Sequence, residues 1–374
     1  MHFAIALFAW FPHGGMQRDC LDVAARLKDR GHRVTMLTRG WRGTRPDGID
    51  VVELPARAVT NHGRNAAFAR ACAKAIGKLR PDYVLGFDRM PGLDAYFAAD
   101  RCFAARAAAR GPLYRLTPRA RAMLAMERAV FRAETPTEIL LLVEREKAEI
   151  QRHYGTPNAR FHLIPPILSP GCRRPAEAAA RALRAATRRA LKLSDRAVAL
   201  LFVASRFRTK GLDRALAAVG ALPGPLRDRT RLLVAGGDDA APYRRRTGSR
   251  WTTFLGARDD LPALMLAADL LVHPAREENA GKVLLEALAM GLPVLSSGIC
   301  GYAEHVERAG AGQVLAEPFR QDALDRALAD MVTRSPAADW SANGVAYARH
   351  TRGFGAGIDE VVATVERLAA GRRR

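Results

Sequence analysis

Two doubly wound α/β domains of Rossmann type, facing each other across a cleft, are what this sequence predicts. Three observations carry the prediction. The chain has 374 residues, more than one ordinary core accommodates. Short apolar runs alternate with amphipathic stretches, the pattern of a parallel sheet with crossover helices. The pattern pauses at Pro165-Pro166 and Ser169-Pro170-Gly171, a Pro/Gly-rich break, and then restarts. The predicted domains are residues 1–166 and 167–350, with a helical tail over 351–374.

In the first half, residues 2–10 read as a buried strand. The run is apolar but short, lacks a basic front end and leads straight into Phe11-Pro12-His13-Gly14-Gly15, so it is not read as a signal peptide. Residues 17–30 form an amphipathic helix ending at Gly31, followed by strands at 33–38 and 51–54. A helix over 65–79 closes at Arg80-Pro81. Strands follow at 83–87 and 95–99, then a strand at 139–143, a helix at 144–154 and a strand at 161–164. The second half opens with a basic helix over 173–193. Strands at 197–204, 231–235, 251–255, 270–273 and 294–296 alternate with helices at 211–220 and 261–268, and a helical tail ends the chain. The two halves share an architecture without a sequence repeat.

Composition narrows the function. A net charge of +21 calls for an anionic partner: nucleic acid, an anionic membrane or a polyanionic substrate. No run of about 20 apolar residues is present, so no membrane-spanning helix is predicted. The five cysteines are scattered without a Cys-x-x-Cys pair, which argues against a disulfide framework or zinc site and fits a reducing compartment.

The most informative stretch runs from Glu278 through Asn279, Ala280, Gly281 and Lys282 to Glu286, then into Gly291-Leu292-Pro293. A loop carrying a carboxylate enters an apolar helix. Eight residues is a little over two helical turns, so both carboxylates are expected along one edge of one ligand. The amides of residues 279–282 are expected to point out of the helix start, where an anion is favoured. An acid in front of them repels a bare phosphate but accepts from hydroxyls. Together these features suit a sugar attached to a phosphate.

This Glu-x7-Glu stretch, preceded by His273-Pro274, resembles the sugar-nucleotide motif of retaining GT-B glycosyltransferases of family 4. The resemblance implies that Glu286 accepts from ribose hydroxyls and Glu278 from hexose hydroxyls. Ala204 to Gly211 is similar to the family's basic loop, with Lys210 at the motif position and Thr209 where relatives carry Arg. Arg206 and Arg208 are the candidates for the missing guanidinium, and Arg173 joins the donor-binding set. Such cations neutralise a leaving diphosphate, often the largest electrostatic contribution to catalysis. Gly14-Gly15, after the first strand, stands where backbone approaches a phosphate. It is neither Gly-x-Gly-x-x-Gly nor Gly-x4-Gly-Lys-Ser/Thr, so dinucleotide and ATPase readings are poor. A plain turn is the alternative.

Longer segments are more specific. Residues 11–19, 60–65, 90–100 and Cys300-Gly301-Tyr302 resemble the lipopolysaccharide core glucosyltransferase I family, over nearly the whole chain. That resemblance implies transfer of glucose from UDP-glucose to an inner-core heptose of lipopolysaccharide. It also implies a C-terminal helix packing back on the N-terminal domain, and a cytoplasmic enzyme peripheral to the inner membrane of a Gram-negative bacterium. Asp19 and Asp100 become acceptor-side or sugar-side candidates that orient or deprotonate a hydroxyl; Asp19 reads equally as a helix-start acid. His62 is either a sugar contact or a loop-packing side chain. Ile167 stands where the family has Gly after Pro165-Pro166.

Residues 101–132 hold eight Arg, one acid and interleaved Leu, Met, Tyr and Phe. Arg with apolar residues at helical spacing reads as an interfacial element for anionic lipid, with Arg115, Arg119 and Arg121 on its basic face; a solvated helix is the alternative. No cofactor and no metal are expected, since no Asp-x-Asp is present and the basic loop can supply positive charge. A UDP-hexosamine or other UDP-hexose is the alternative donor. A nucleic-acid-binding protein is the rival from another class, but no such module is visible.

Overall fold

A computed structural model describes residues 1–12, 14–245, 251–334 and 339–372. The chain divides into two compact units, Met1–Pro165 with Gly355–Arg374, and Pro166–Phe354.

The first unit is built on a seven-stranded sheet. Its strands are β1 (His2–Leu7), β2 (Arg33–Thr38), β3 (Asp50–Glu53), β4 (Tyr83–Gly86), β5 (Ala95–Ala98), β6 (Glu138–Leu141) and β7 (Phe161–Leu163), ordered β3-β2-β1-β4-β5-β6-β7. Every pairing is parallel. Phe3 to Leu7 are all buried, as expected of a central parallel strand covered on both faces. The second unit carries β8 (Val198–Val203), β9 (Thr230–Ala235), β10 (Thr252–Gly256), β11 (Leu270–His273), β12 (Val294–Ser297) and β13 (Gly312–Leu315). Their order is β10-β9-β8-β11-β12-β13, again all parallel. Strand order reverses between β1 and β4, and between β8 and β11. Ligands in such sheets bind outside the carboxyl ends of the strands at these reversal points.

Several boundaries differ from expectation for local reasons. β1 stops at Leu7 because the Phe8 amide turns to Asp88 at 2.6 Å instead of continuing the ladder. The apolar character of Trp10 serves ring stacking on Trp41, with centroids 4.4 Å apart. The helix expected from residue 65 begins earlier, as Asn61–Leu79, because Thr60 caps it by accepting from the Gly63 amide at 3.1 Å. The basic helix is Glu177–Ala190 and excludes Arg173. Residues 101–132 are three helices rather than one, Phe103–Ala109, Pro112–Leu116 and Pro118–Phe131, two of them opened by a proline whose missing N–H costs nothing there.

Between β12 and the tail expected over 351–374, the described residues of the second unit hold the helices Ala303–Ala309, Gln321–Arg334 and Trp340–His350 and the strand β13. Only Gly357–Arg372 returns to the first unit, where it packs on the Gly15–Asp29 helix. Val361, Val362 and Val365 are fully buried there, at roughly 1.5–3 kcal/mol each. Ion pairs Arg26–Asp359 (2.9 Å) and Arg30–Glu366 (2.7 Å) flank them, and being half-exposed or partly covered surface pairs they add little.

Candidate active site

In the second unit the site grows from the loops after β8 and β11, the two strands at the reversal point. The short Phe207–Lys210 turn ends on Gly211 at φ 79°, where a Cβ would lie 2.0 Å from the Pro274 carbonyl oxygen. Only glycine lets the two loops approach this closely. The approach brings Lys210 Nζ to 2.7 Å from Glu278 Oε2 and 3.4 Å from the Glu277 carbonyl. His273, buried at the end of β11, lies with Nε2 3.2 Å from the same carboxylate oxygen. An ionised carboxylate only accepts, so the shared hydrogen is assigned to His273 Nε2. Burial works to raise the Glu278 pKa, but the His273 hydrogen bond and the Lys210 charge outweigh it and hold the carboxyl at about 2. Glu278 is therefore an acceptor across the neutral range and has no proton to donate.

Neighbouring cations are partly committed. Arg276 makes a two-pronged pair with Asp213 at 2.6 and 2.7 Å, and Arg214 lies over the Phe319 ring at 3.6 Å. Thr209 acts through its carbonyl, which accepts from the Arg276 amide at 2.9 Å. Arg206 and Arg208 are exposed beside Lys210.

The two glutamates do not share a helix. Gly281, at φ 85°, precedes the Lys282–Met290 helix, so Glu278 lies in the loop and helical periodicity does not relate it to Glu286. Glu286 is buried and accepts from Ser169 Oγ at 2.5 Å. The expected row of outward amides is also modified. The Asn279 amide turns back onto Glu278 Oε1 at 3.2 Å, while the Asn279 and Ala280 carbonyls accept from the Gly301 and Tyr302 amides at 2.7 Å each. The Cys300-Gly301-Tyr302 segment is thus a brace for the acidic loop. Arg173 is exposed, ahead of the Glu177–Ala190 helix.

In the first unit, Gly14 caps the Gly15–Asp29 helix after β1 and is packed so that a Cβ would meet Gln17 Oε1. His13, part of the same segment, lies outside the described residues. Asp19 is buried and sits past the first turn, so it is not a helix-start acid. His62 is in the first turn of its helix, Nε2 3.2 Å from Thr60 Oγ1. Asp100 is two-thirds exposed, 3.9 Å from Arg89 Nη2. Arg89 itself is buried, paired with the fully buried Glu127 and donating to Tyr96 Oη at 3.1 Å and the Arg101 carbonyl at 2.9 Å. Glu127 also accepts from the Phe103 and Ala104 amides and from Tyr154 Oη, at 2.6–2.7 Å. The one acid of the basic segment is therefore a buried anchor that caps the Phe103–Ala109 helix. Arg115, Arg119 and Arg121 are exposed, as are Leu113 and Leu116.

Sequence reasoning missed His273, Ser169, Asp88 and the Arg89–Glu127 pair as site or support residues. A usable signal existed for His273 and Asp88, since each lies at or just past the carboxyl end of a strand beside the reversal point. Among the described residues no group of three or more His, Cys, Asp or Glu is placed to hold a metal ion, and no helix is long and apolar enough to cross a membrane.

Two doubly wound units with a cation–carboxylate pair at the reversal point of the second fit a glycosyltransferase, and the chain belongs to the group 1 and family 4 glycosyltransferases. The family model for glycosyl transferases group 1 matches residues 184–346, and that for glycosyltransferase family 4 matches residues 13–170. Among individual proteins, the chain is similar to the lipopolysaccharide glucosyltransferase WaaG of Escherichia coli (strain K12). The two are 40% identical over 93% of this chain and 94% of that protein. A crystal structure of WaaG, a glycosyltransferase involved in lipopolysaccharide biosynthesis, matches with a TM-score of 0.92 and 37% identity, covering 97% of this chain and 99% of that one. A sucrose-phosphate synthase from Thermosynechococcus elongatus shares the fold, with a TM-score of 0.77 at 19% identity over 99% of both chains.

Proposed function

We propose that this glycosyltransferase moves glucose from UDP-glucose, with retention, to an inner-core heptose of lipopolysaccharide. The observation that carries the reading is the full-length likeness to a lipopolysaccharide glucosyltransferase. The site supports it chemically. Lys210, with Arg206 and Arg208, takes the diphosphate, and Glu278 accepts from hexose hydroxyls. Glu286 keeps Ser169 on one oxygen and offers the other to the ribose. Ala280 and Gly281 offer backbone amides to the donor, the Asn279 amide being held on Glu278 Oε1, and Gly14-Gly15 is the first unit's candidate for a phosphate approach. Glu278 is no nucleophile. The glycosidic bond breaks in a front-side displacement, with the charge leaving on UDP and neutralised by the basic loop.

The first unit is the acceptor domain in this reading, with Asp19, Asp100 and His62 as its polar candidates. The charge of +21 serves a phosphorylated glycolipid and an anionic inner-membrane surface rather than nucleic acid. Pro112, Arg115, Leu116, Arg121, Leu124 and Arg128 line a groove of about 610 Å³ where guanidinium groups alternate with apolar side chains. That mixture suits the headgroup–acyl boundary of a bilayer. The enzyme is placed in the cytoplasm, peripheral to the inner membrane.

The test offers heptose-terminated core oligosaccharide and a panel of UDP and GDP sugars, with products read by mass spectrometry. One added hexose from UDP-glucose alone is the expected result; preference for a UDP-hexosamine would overturn the donor assignment. EDTA leaves the rate unchanged in this reading. Loss of transfer restored by magnesium or manganese would show a metal requirement.

A further inference from the structure

Glu286 lies in the middle of the Lys282–Met290 helix, buried, with Oε1 accepting from Ser169 Oγ at 2.5 Å. Among the described residues this is the only hydrogen bond its side chain receives, and Oε2 is not fully enclosed. An ionised carboxylate has room for about four donors. A buried one left with a single donor is costly unless a ligand brings more. The last torsion of a glutamate is also broad, without sharp wells. Pinning one oxygen stops that rotation and aims the other.

The hydroxyl that does the pinning is itself held. Ser169 is buried, and its carbonyl accepts from the Cys172 amide at 3.1 Å across a turn made by Gly171 at φ 83°. Ile167 and Cys172 bury their side chains on either side. Farther along, the Arg174 amide donates to the Ala289 carbonyl at 3.2 Å, and Arg174 Nη1 donates to the Met290 carbonyl at 2.8 Å. Residues 169–174 are thus tied to the helix twice, at Glu286 and at its last carbonyls, where a cation also suits the helix dipole. All of these contacts lie within the second unit.

Resting on the reading of Glu286 as the residue that accepts from the ribose, we infer that Ser169 is a positioning residue that sets the preference for a ribonucleotide over a deoxyribonucleotide donor. Its hydroxyl touches no part of the donor and acts through Glu286. With Oε1 occupied, Oε2 meets the ribose hydroxyls in one fixed orientation. Without Ser169 Oγ the carboxylate keeps its charge and its place on the helix but not its aim. Donor binding must then order it first, which weakens the ribose hydrogen bonds.

Calorimetry with UDP and with its dideoxy analogue, which lacks both ribose hydroxyls, tests this on the full-length wild type and Ser169→Ala. The wild type is expected to bind UDP at least about tenfold more tightly than the analogue. Ser169→Ala is expected to lose about five- to tenfold for UDP, while its affinity for the analogue stays within about twofold. That retained binding also shows that the variant's site is folded. In steady state the KM for UDP-glucose should rise by a similar factor with kcat within about twofold, because the ribose is remote from the reacting carbon and is held alike in ground and transition states. Equal losses for both ligands would make Ser169 purely structural and overturn the inference, as would an unchanged UDP affinity. Tighter UDP binding by the variant would make Ser169 a competitor of the ribose and overturn it too. In each of these cases a wild type that discriminates between the ligands leaves the Glu286 assignment standing. A wild type that binds both alike overturns that assignment and this inference together.

Discussion

Lys210 Nζ lies 2.7 Å from Glu278 Oε2, a pair made by residues 68 positions apart and less than a fifth exposed on either side. The pair joins the loops that follow β8 and β11. In the proposed reaction Lys210 turns to the diphosphate and Glu278 to the sugar, so the pair holds each group in place between turnovers. Removing either partner has a structural as well as a catalytic consequence, because the other is left in a poorly solvated site.

Lys210→Ala is expected to lower turnover by about two orders of magnitude or more, since the leaving charge loses its partner. Urea denaturation should also show a loss of about 1–3 kcal/mol, because among the described residues Glu278 keeps only His273 and the Asn279 amide. Full activity in this variant would refute the phosphate assignment.

Glu286→Ala and Glu278→Ala should part in calorimetry. Losing the ribose contact weakens UDP and UDP-glucose alike, by roughly 1–3 kcal/mol. Losing Glu278 weakens UDP-glucose while leaving UDP nearly unchanged. Equal losses for both ligands in both variants would contradict the two roles.

The low Glu278 pKa carries a stability signature with a definite sign. The folded value of about 2 lies below the ordinary glutamate value, so the unfolded chain binds the proton first as pH falls. The stabilisation is complete above about pH 4.5 and is lost as pH falls toward about 2. Chemical denaturation of wild type and Glu278→Gln across that window should show a shallower acid slope in the variant. Parallel slopes would mean that Glu278 is not held by its partners in solution.

Vesicles containing anionic lipid should bind the protein, and neutral vesicles should not. Arg115, Arg119 and Arg121 changed together to Ser should weaken binding by about 3 kcal/mol at most, from roughly 1 kcal/mol per basic residue near the surface. Salt should weaken the interaction without abolishing it, because Leu113 and Leu116 are exposed for shallow burial. Co-sedimentation at low and high salt reads both effects. Undiminished binding of the triple variant would move the membrane face elsewhere, with the basic Glu177–Ala190 helix the next surface to test.

Much of the site was legible because strand–loop–helix units are local. The apolar run of β8 followed by a basic loop and Gly211, and that of β11 followed by Glu278 and Gly281, place Lys210 and Glu278 at strand ends without reference to the rest of the chain. The helical spacing invoked for Glu278 and Glu286 failed for a local reason too, since the left-handed turn at Gly281 separates the loop from the helix. Thr60 as the cap of the Asn61–Leu79 helix was overlooked, although Thr is among the preferred N-cap residues.

By itself, then, the sequence determined the alternation of buried strands with helices, the break near Pro165-Pro166 and the chemistry of the loops. Burial periodicity and turn residues report on a chain's own neighbourhood, and these features live there. Which residues meet was decided only by tertiary structure. Phe8 with Asp88, Ser169 with Glu286, Lys210 with Glu278 and Arg89 with Glu127 are separated by 80, 117, 68 and 38 positions. Each pair depends on strand order or helix packing, which crossover connections settle only when the layers close. Asp88 reads in sequence as one more polar residue after a strand. It becomes a half-buried carboxylate at a reversal point because β4 packs beside β1.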